Sequence, residues 1–230
     1  MASIEVRLQH VRTRIVQACD SAARPVQSVT LLAVSKTFDA TAVRAAHAAG
    51  QHAFGENYVQ EALAKMQATA DLRTALQWHL IGPVQSNKTA AVAAAFDWVH
   101  TLHKERTAER LNAQRPPAAP PLNVCLQVNV SGEASKGGVA PAELPALARA
   151  VAGLPRLRLR GLMSIPEPLD GLDAQRAPHR RLRELFDQLR AGGLVLDTLS
   201  MGMSADLEAA IAEGATIVRV GSAIFGERSA

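Results

Sequence analysis

Aromatic residues are scarce in this sequence. Five Phe, two Trp and one Tyr make up 3% of 230 residues. No Lys/Arg block is interleaved with aromatics, so a nucleic-acid surface built on base stacking is excluded as a reading. Cysteine is nearly absent too: Cys19 and Cys125 form no CxxC pair and no Cys/His cluster. That count argues against a zinc site, and two isolated thiols fit a reducing cytoplasm as small buried hydrophobes. No apolar run approaches the roughly 20 residues that cross a bilayer, so no membrane partner is expected. The N-terminal segment lacks a continuous apolar core. Ile4, Leu8, Val11 and Ile15 instead fall at helical spacing among Glu5, Arg7, Arg12 and Arg14. An amphipathic helix is predicted there, not a secretory leader, and Glu5 and Asp20 argue against a transit peptide.

Apolar residues make up 48% of the chain and charged residues 20%, the balance of a folded globular domain. Net charge is +4 from 25 basic and 21 acidic residues, a mild bias toward anionic ligands. After the first helix the chain alternates β-like apolar runs with alanine-rich helical stretches. The predicted strands are 29–35, 52–56, 77–82, 97–102, 123–130, 157–165, 196–202 and 216–226. The predicted helices are 40–49, 58–69, 87–95, 104–113, 141–152, 173–191 and 204–213. Strict βα alternation implies a parallel sheet, and eight units close most simply into a (β/α)8 TIM barrel forming a single domain over 1–230. No strand leads into G-x-G-x-x-G, which argues against an open dinucleotide-binding sheet. The N-terminal helix is expected to cap the barrel bottom or to pack beside the last strand. "RPPAAPP" (115–121) reads as a surface connection.

In such a barrel the functional face lies at the C-terminal strand ends. Polar and glycine residues gather there: Lys36; Gly55, Glu56 and Asn57; Gly82 with Gln85 to Lys88; Asn129 and Ser131 with Ser135 and Lys136; Ser164; Gly202 to Ser204; Gly221 and Ser222. Part of this is ordinary loop polarity. Lys36 ends the run "LLAVSK". A lysine partly desolvated in a barrel mouth gains nucleophilic character toward carbonyls, whereas a rim lysine merely reaches water; its position alone leaves both open. Ser204 reads as a helix N-cap, and Gly221-Ser222 follows the last strand, where barrels of this kind bind phosphate. In "TIVRVG", Arg219 shares the parity of Gly221, so it is expected to point inward, either toward a ligand or into an ion pair with an acid such as Glu56. His79 reads as a core histidine, and His100 and His103 lack a matching carboxylate pattern for metal.

"AVSKT", "FGENYVQE", "WHLIGPVQSNK", "QVNVSGEASKGG", "GLMSIP" and "LSMGMSADLEAAIAEGATIVRVGSAIFG" occur in this order over residues 29–227. Together they resemble the YggS/PROSC family of pyridoxal 5′-phosphate (PLP) homeostasis proteins. The resemblance implies a barrel similar to the N-terminal domain of alanine racemase (fold type III). It implies that Lys36 holds PLP as a Schiff base, that Arg219 faces the pyridine nitrogen, that Ser204 and the Gly221-Ser222 loop hold the phosphate, and that Asn57 lies near the cofactor. The family often has Thr at the position of Ser222; serine keeps both hydroxyl and amide.

Physical chemistry then restricts the activity. PLP stores carbanion charge best when its pyridine nitrogen is protonated, and a guanidinium cannot accept that proton. A racemase needs a base on each face of the substrate, in alanine racemase a lysine and a tyrosine from a C-terminal β-domain. That domain is not expected here, and Tyr58, the one tyrosine, is unmarked as a base. The expectation is a cytoplasmic, monomeric PLP binder without an efficient reaction of its own, with apo PLP-dependent enzymes as possible recipients. Two alternatives stand beside it: a low-activity amino-acid racemase, and a Schiff-base aldolase acting on a phosphorylated sugar.

Overall fold

A computed structural model describes residues 2–132 and 137–226. Eight strands form the frame: β1 (Thr30–Val34), β2 (Ala53–Glu56), β3 (Gln77–Leu80), β4 (Trp98–Leu102), β5 (Leu122–Gln127), β6 (Leu157–Met163), β7 (Thr198–Ser200) and β8 (Ile217–Val220). They pair in sequence order, all parallel, and β8 closes on β1 with Leu32 opposite Arg219. The helices are α1 (Ile4–Ser21), α2 (Ala40–Ala48), α3 (Val59–Ala68), α4 (Thr89–Ala95), α5 (Glu105–Gln114), α6 (Leu144–Ala152), α7 (Leu172–Ala191), α8 (Leu207–Ala212) and α9 (Ser222–Phe225). The (β/α)8 barrel predicted from alternation is the fold observed.

Strand parity sorts the side chains into two layers. Phe54, Trp78, Leu80, Val99, Val124 and Leu126 are buried in the large core shared with the helices. Each such side chain contributes roughly 1.5–3 kcal/mol by leaving water. The opposite parity fills the barrel. Leu32, Ala53 and Ile217 pack together with Ile81, and Trp98, Cys125 and Met163 form a second small cluster. Between them lie buried polar groups, His79, His100, Ser200 and Arg219, so this interior is only partly apolar.

The first helix packs against α8, α9 and α2, the second of the two places expected for it. Ser3 caps it by accepting from the Val6 amide at 3.2 Å, and Leu8, Val11, Ile15, Ala18 and Cys19 form its buried stripe. Arg14 pairs with Glu208 at 2.9 Å and also donates to the Ser204 carbonyl at 3.0 Å, tying α1 to the loop after β7.

Some boundaries differ from expectation. The predicted strand 216–226 is two elements: β8 stops at Val220, and Ser222–Phe225 forms α9. An apolar run so short carries no period that separates strand from helix. The helix predicted at 204–213 starts at Leu207, and its N-cap is Asp206 rather than Ser204. Within the described residues no helix is long and apolar enough to cross a membrane.

Candidate functional site

Lys36 stands two residues beyond β1, and its backbone is clasped from outside the barrel. The Ser35 amide donates to the Gly55 carbonyl at 3.0 Å, and Ser35 Oγ donates to Glu56 Oε1 at 2.6 Å. Lys65 Nζ reaches from α3 to the Ser35 carbonyl at 2.6 Å, Glu56 Oε1 at 2.8 Å and Glu61 Oε1 at 2.6 Å. Thr37 has φ 69°, a costly value for a β-branched residue, and its amide donates to Glu61. Desolvation pushes the Glu56 carboxyl above its ordinary range, although Lys65 and Ser35 pull it down. The local carboxylates are thus engaged by Lys65, and the half-buried Lys36 side chain lines the barrel mouth.

Asn57 follows β2 directly. The loop after β3 presses on it so closely that a Cβ at Gly82 would stand 2.1 Å from the Asn57 carbonyl oxygen. Only glycine fits at that crossing. The Asn57 Oδ1 atom is buried without a partner among the described residues.

Arg219 is 4% exposed and does point inward. Its Nη1 donates to Ser200 Oγ at 2.9 Å and its Nη2 to the Ser164 carbonyl at 2.8 Å. The ion pair with Glu56 considered from sequence does not form, because Glu56 is held by Lys65 and Ser35. Desolvation lowers the Arg219 pKa to about 10, with Asp206 and Cys125 opposing, so the guanidinium stays charged at neutral pH.

Two loops complete the mouth. Ser204 lies between β7 and α8, and Gly221 leads into α9. Asp206, two residues after Ser204, is engaged within its own loop and by α7. Its Oδ1 accepts from the Met203 amide at 2.7 Å and its Oδ2 lies 3.0 Å from His179 Nε2. Desolvation raises its pKa, but His179, the Met203 amide and Arg219 together hold it below the ordinary value. Phe38 stacks on Phe225 with centroids 5.2 Å apart, fastening the Lys36 loop to α9.

Lys36, Asn57, Ser204, Arg219, Gly221 and Ser222 therefore meet around one cavity of about 720 Å³, within the roughly 300–1,000 Å³ of small-molecule sites. Among the described residues its charged lining groups are Lys36 and Arg219, both cationic. Ser204 and Ser222 add hydroxyls to the lining and Asn57 a side-chain amide, so the polar and cationic groups suit a phosphorylated aldehyde. Gln85 to Lys88 do not line it; Ser86–Lys88 is a short 3₁₀ turn. Ser135 and Lys136 lie outside the described residues. Met203, placed at a strand end from sequence, joins Val34, Phe38, Ile81 and Ile165 in an apolar wall; sequence reasoning missed those four, since nothing separates them from core residues by type. Among the described residues no group of three or more His, Cys, Asp or Glu could hold a metal.

Residues 6–229 match the family model of the alanine racemase N-terminal domain. A pyridoxal phosphate homeostasis protein of Pseudomonas aeruginosa is 60% identical over 99% of this chain and 97% of its own. The structure of PipY of Synechococcus elongatus with PLP bound is 39% identical, with TM-score 0.85, over 97% of this chain and 100% of that one. An alanine racemase of Clostridium difficile shares the fold at 12% identity, with TM-score 0.71, over 95% of this chain and 57% of the racemase.

Proposed function

As this chain belongs to the alanine racemase N-terminal domain family, alongside the pyridoxal phosphate homeostasis proteins, we propose that it binds PLP as a Schiff base on Lys36 and takes part in intracellular PLP (vitamin B6) homeostasis, without efficient catalysis of its own. One observation carries the reading. Residues from the ends of β1, β2, β7 and β8 converge on a single cavity whose charged lining is cationic. Bound PLP supplies an aldehyde and, when its pyridine nitrogen is protonated, an electron sink.

The chain's own residues favour holding over turnover. Lys36 provides the amine, and Ser204, Gly221 and Ser222 offer hydroxyls and close backbone approach to a phosphate. Asn57 would contact the bound cofactor. Arg219 would meet its pyridine nitrogen as a charged donor that cannot accept a hydrogen bond from a protonated ring, which would keep the electron sink weak. Tyr58 is 59% exposed and does not line the cavity, so it is poorly placed as a second base; the racemase reading loses support accordingly. An aldolase reading leaves Arg219 without a role. The barrel acts as one PLP-binding domain over 1–230, as a cytoplasmic monomer that passes PLP to apo PLP-dependent enzymes.

The test is titration of the protein with PLP, followed by absorbance, for wild type and Lys36→Ala, with racemisation of several amino acids assayed in parallel. A yellow band in wild type alone, with no racemisation above the level of free PLP, is expected. Turnover at enzymatic rates would sink the homeostasis reading in favour of a racemase.

A further inference from the structure

Among the described residues Arg219 has no carboxylate partner, and the groups in its place form a line. Its Nη1 donates to Ser200 Oγ; Ser200 Oγ lies 2.7 Å from His100 Nδ1; His100 Nε2 lies 2.9 Å from His79 Nδ1. None of the four side chains is more than 4% exposed. His79 ends the line. Its ring stacks on Trp98 at 5.3 Å with an interplanar angle of 5°, and its Nε2 is buried without a partner among the described residues.

Proton bookkeeping sets the direction. A guanidinium only donates, so Ser200 Oγ accepts from Arg219. If the Ser200 hydroxyl donates its hydrogen bond to His100 Nδ1, then His100 carries its proton on Nε2 and donates to His79 Nδ1. One orphan remains, the His79 Nε2–H. The reverse order has His100 Nδ1–H donating to Ser200. It leaves two orphans, the Ser200 proton and the His79 Nε2 lone pair. A buried orphan is costly, so the first order wins. Both rings stay neutral: desolvation lowers His79 to about 3 and His100 well below its usual value, with His79 and Arg219 adding to the second shift. Aligned this way, the three dipoles turn their negative ends toward the guanidinium and polarise one another.

We propose that Ser200, His100 and His79 are positioning residues for Arg219, a neutral hydrogen-bond relay that fixes the guanidinium at the base of the cavity in place of a carboxylate. The inference rests on reading that cavity as a PLP site. A carboxylate there would cancel the charge of Arg219; a neutral relay leaves it whole, facing the cofactor ring.

The test has two parts. In the PLP-free protein, ¹⁵N-edited NMR of the histidine rings reads the relay directly. The expected state is a bare Nδ1 and a protonated Nε2 on both His79 and His100, unchanged from pH 6 to 9. A proton on Nδ1 of either ring overturns the proposal, and this arm needs no variant to fold. The second part titrates Ser200→Ala, His100→Leu and His100→Asn with PLP. Ser200→Ala removes one hydrogen bond to a charge and His100→Leu removes the acceptor that orients the Ser200 hydroxyl; each should raise the PLP Kd, Ser200→Ala about tenfold, and shift the cofactor absorbance. Asn can turn its amide oxygen to the Ser200 hydroxyl, so His100→Asn should restore most of both. Folded Ser200→Ala and His100→Leu with wild-type Kd and spectrum would overturn the relay and leave the Lys36 reading intact. A wild type that takes up no PLP would end the cavity reading, while the ring tautomers would still decide the relay.

Discussion

Lys65→Met removes a buried ammonium but keeps the apolar stem, so packing is nearly conserved while the clasp behind Lys36 is cut. Lys65 is 4% exposed and Glu56 fully buried, and their atoms meet at 2.8 Å. Without the ammonium, the Glu56 carboxylate keeps only Ser35 as a donor. Breaking one side of a buried pair costs about 3–5 kcal/mol, because the other charge is stranded. That is a large share of the roughly 5–15 kcal/mol that holds a domain folded. The sign of the pH dependence follows from Glu56. Its folded pKa is already raised by desolvation, and removing Lys65 raises it further. Such a group favours the fold most below its unfolded value and loses that contribution as pH rises through the folded one. The deficit of Lys65→Met relative to wild type should therefore be greatest at pH 8 and shrink toward pH 5. Urea denaturation at both pH values measures it. Adding Glu56→Gln to the variant should recover much of the loss, since the charge then left without Lys65 is that of Glu61, which is partly exposed. A loss below about 1 kcal/mol, or an equal loss at pH 5 and pH 8, would refute the reasoning.

Gly82→Ala drives a methyl into the Asn57 carbonyl, so it should cost about 1–3 kcal/mol in thermal unfolding and weaken PLP uptake by moving Asn57; an unchanged Tm and titration would contradict this. His79 and His100 are held neutral in the fold and protonate when it opens, so their stability contribution is present above about pH 6.5 and lost as pH falls below it, for His79 toward about 3. Urea midpoints should decline below pH 6, by at most about 1.4 kcal/mol per pH unit for each ring, and His79→Gln should flatten the slope; a flat wild-type profile would count against buried neutral rings. Desolvation pushes the Cys125 thiol up to about 12 and also raises Cys19, so neither should react with a thiol reagent until the protein unfolds.

Much of the fold was legible because βα alternation is a local signal repeated along the chain. The inward turn of Arg219 was legible from parity alone, as it shares the face of Gly221. Membership of one site by Lys36, Asn57, Ser204, Arg219, Gly221 and Ser222 followed from their places at strand ends together with the motif resemblance. The cap at Asp206 was not legible, since Ser204 and Asp206 both suit an N-cap and only the loop geometry chooses between them. Nor was the strand-to-helix change at Gly221, where four residues carry no period. The line from Arg219 to His79 was hidden for another reason. Ser200 and His100 are 100 residues apart in sequence, and barrel closure alone brings them to 2.7 Å. A serine and two histidines on the inward parity of apolar strands were the only trace. The clasp of Thr37 by Glu61 and of Ser35 by Lys65 likewise joins β1 to α3 across separate βα units.

Lys36 is the group on which the proposed function turns, and one measurement reaches it most directly. The protein is incubated with PLP, reduced with borohydride, digested and mapped by mass spectrometry. The predicted result is a single reduced PLP adduct on the peptide that contains Lys36, absent from Lys36→Ala. An adduct confined to Lys65, Lys88, Lys104 or Lys136, or none at all, would contradict it.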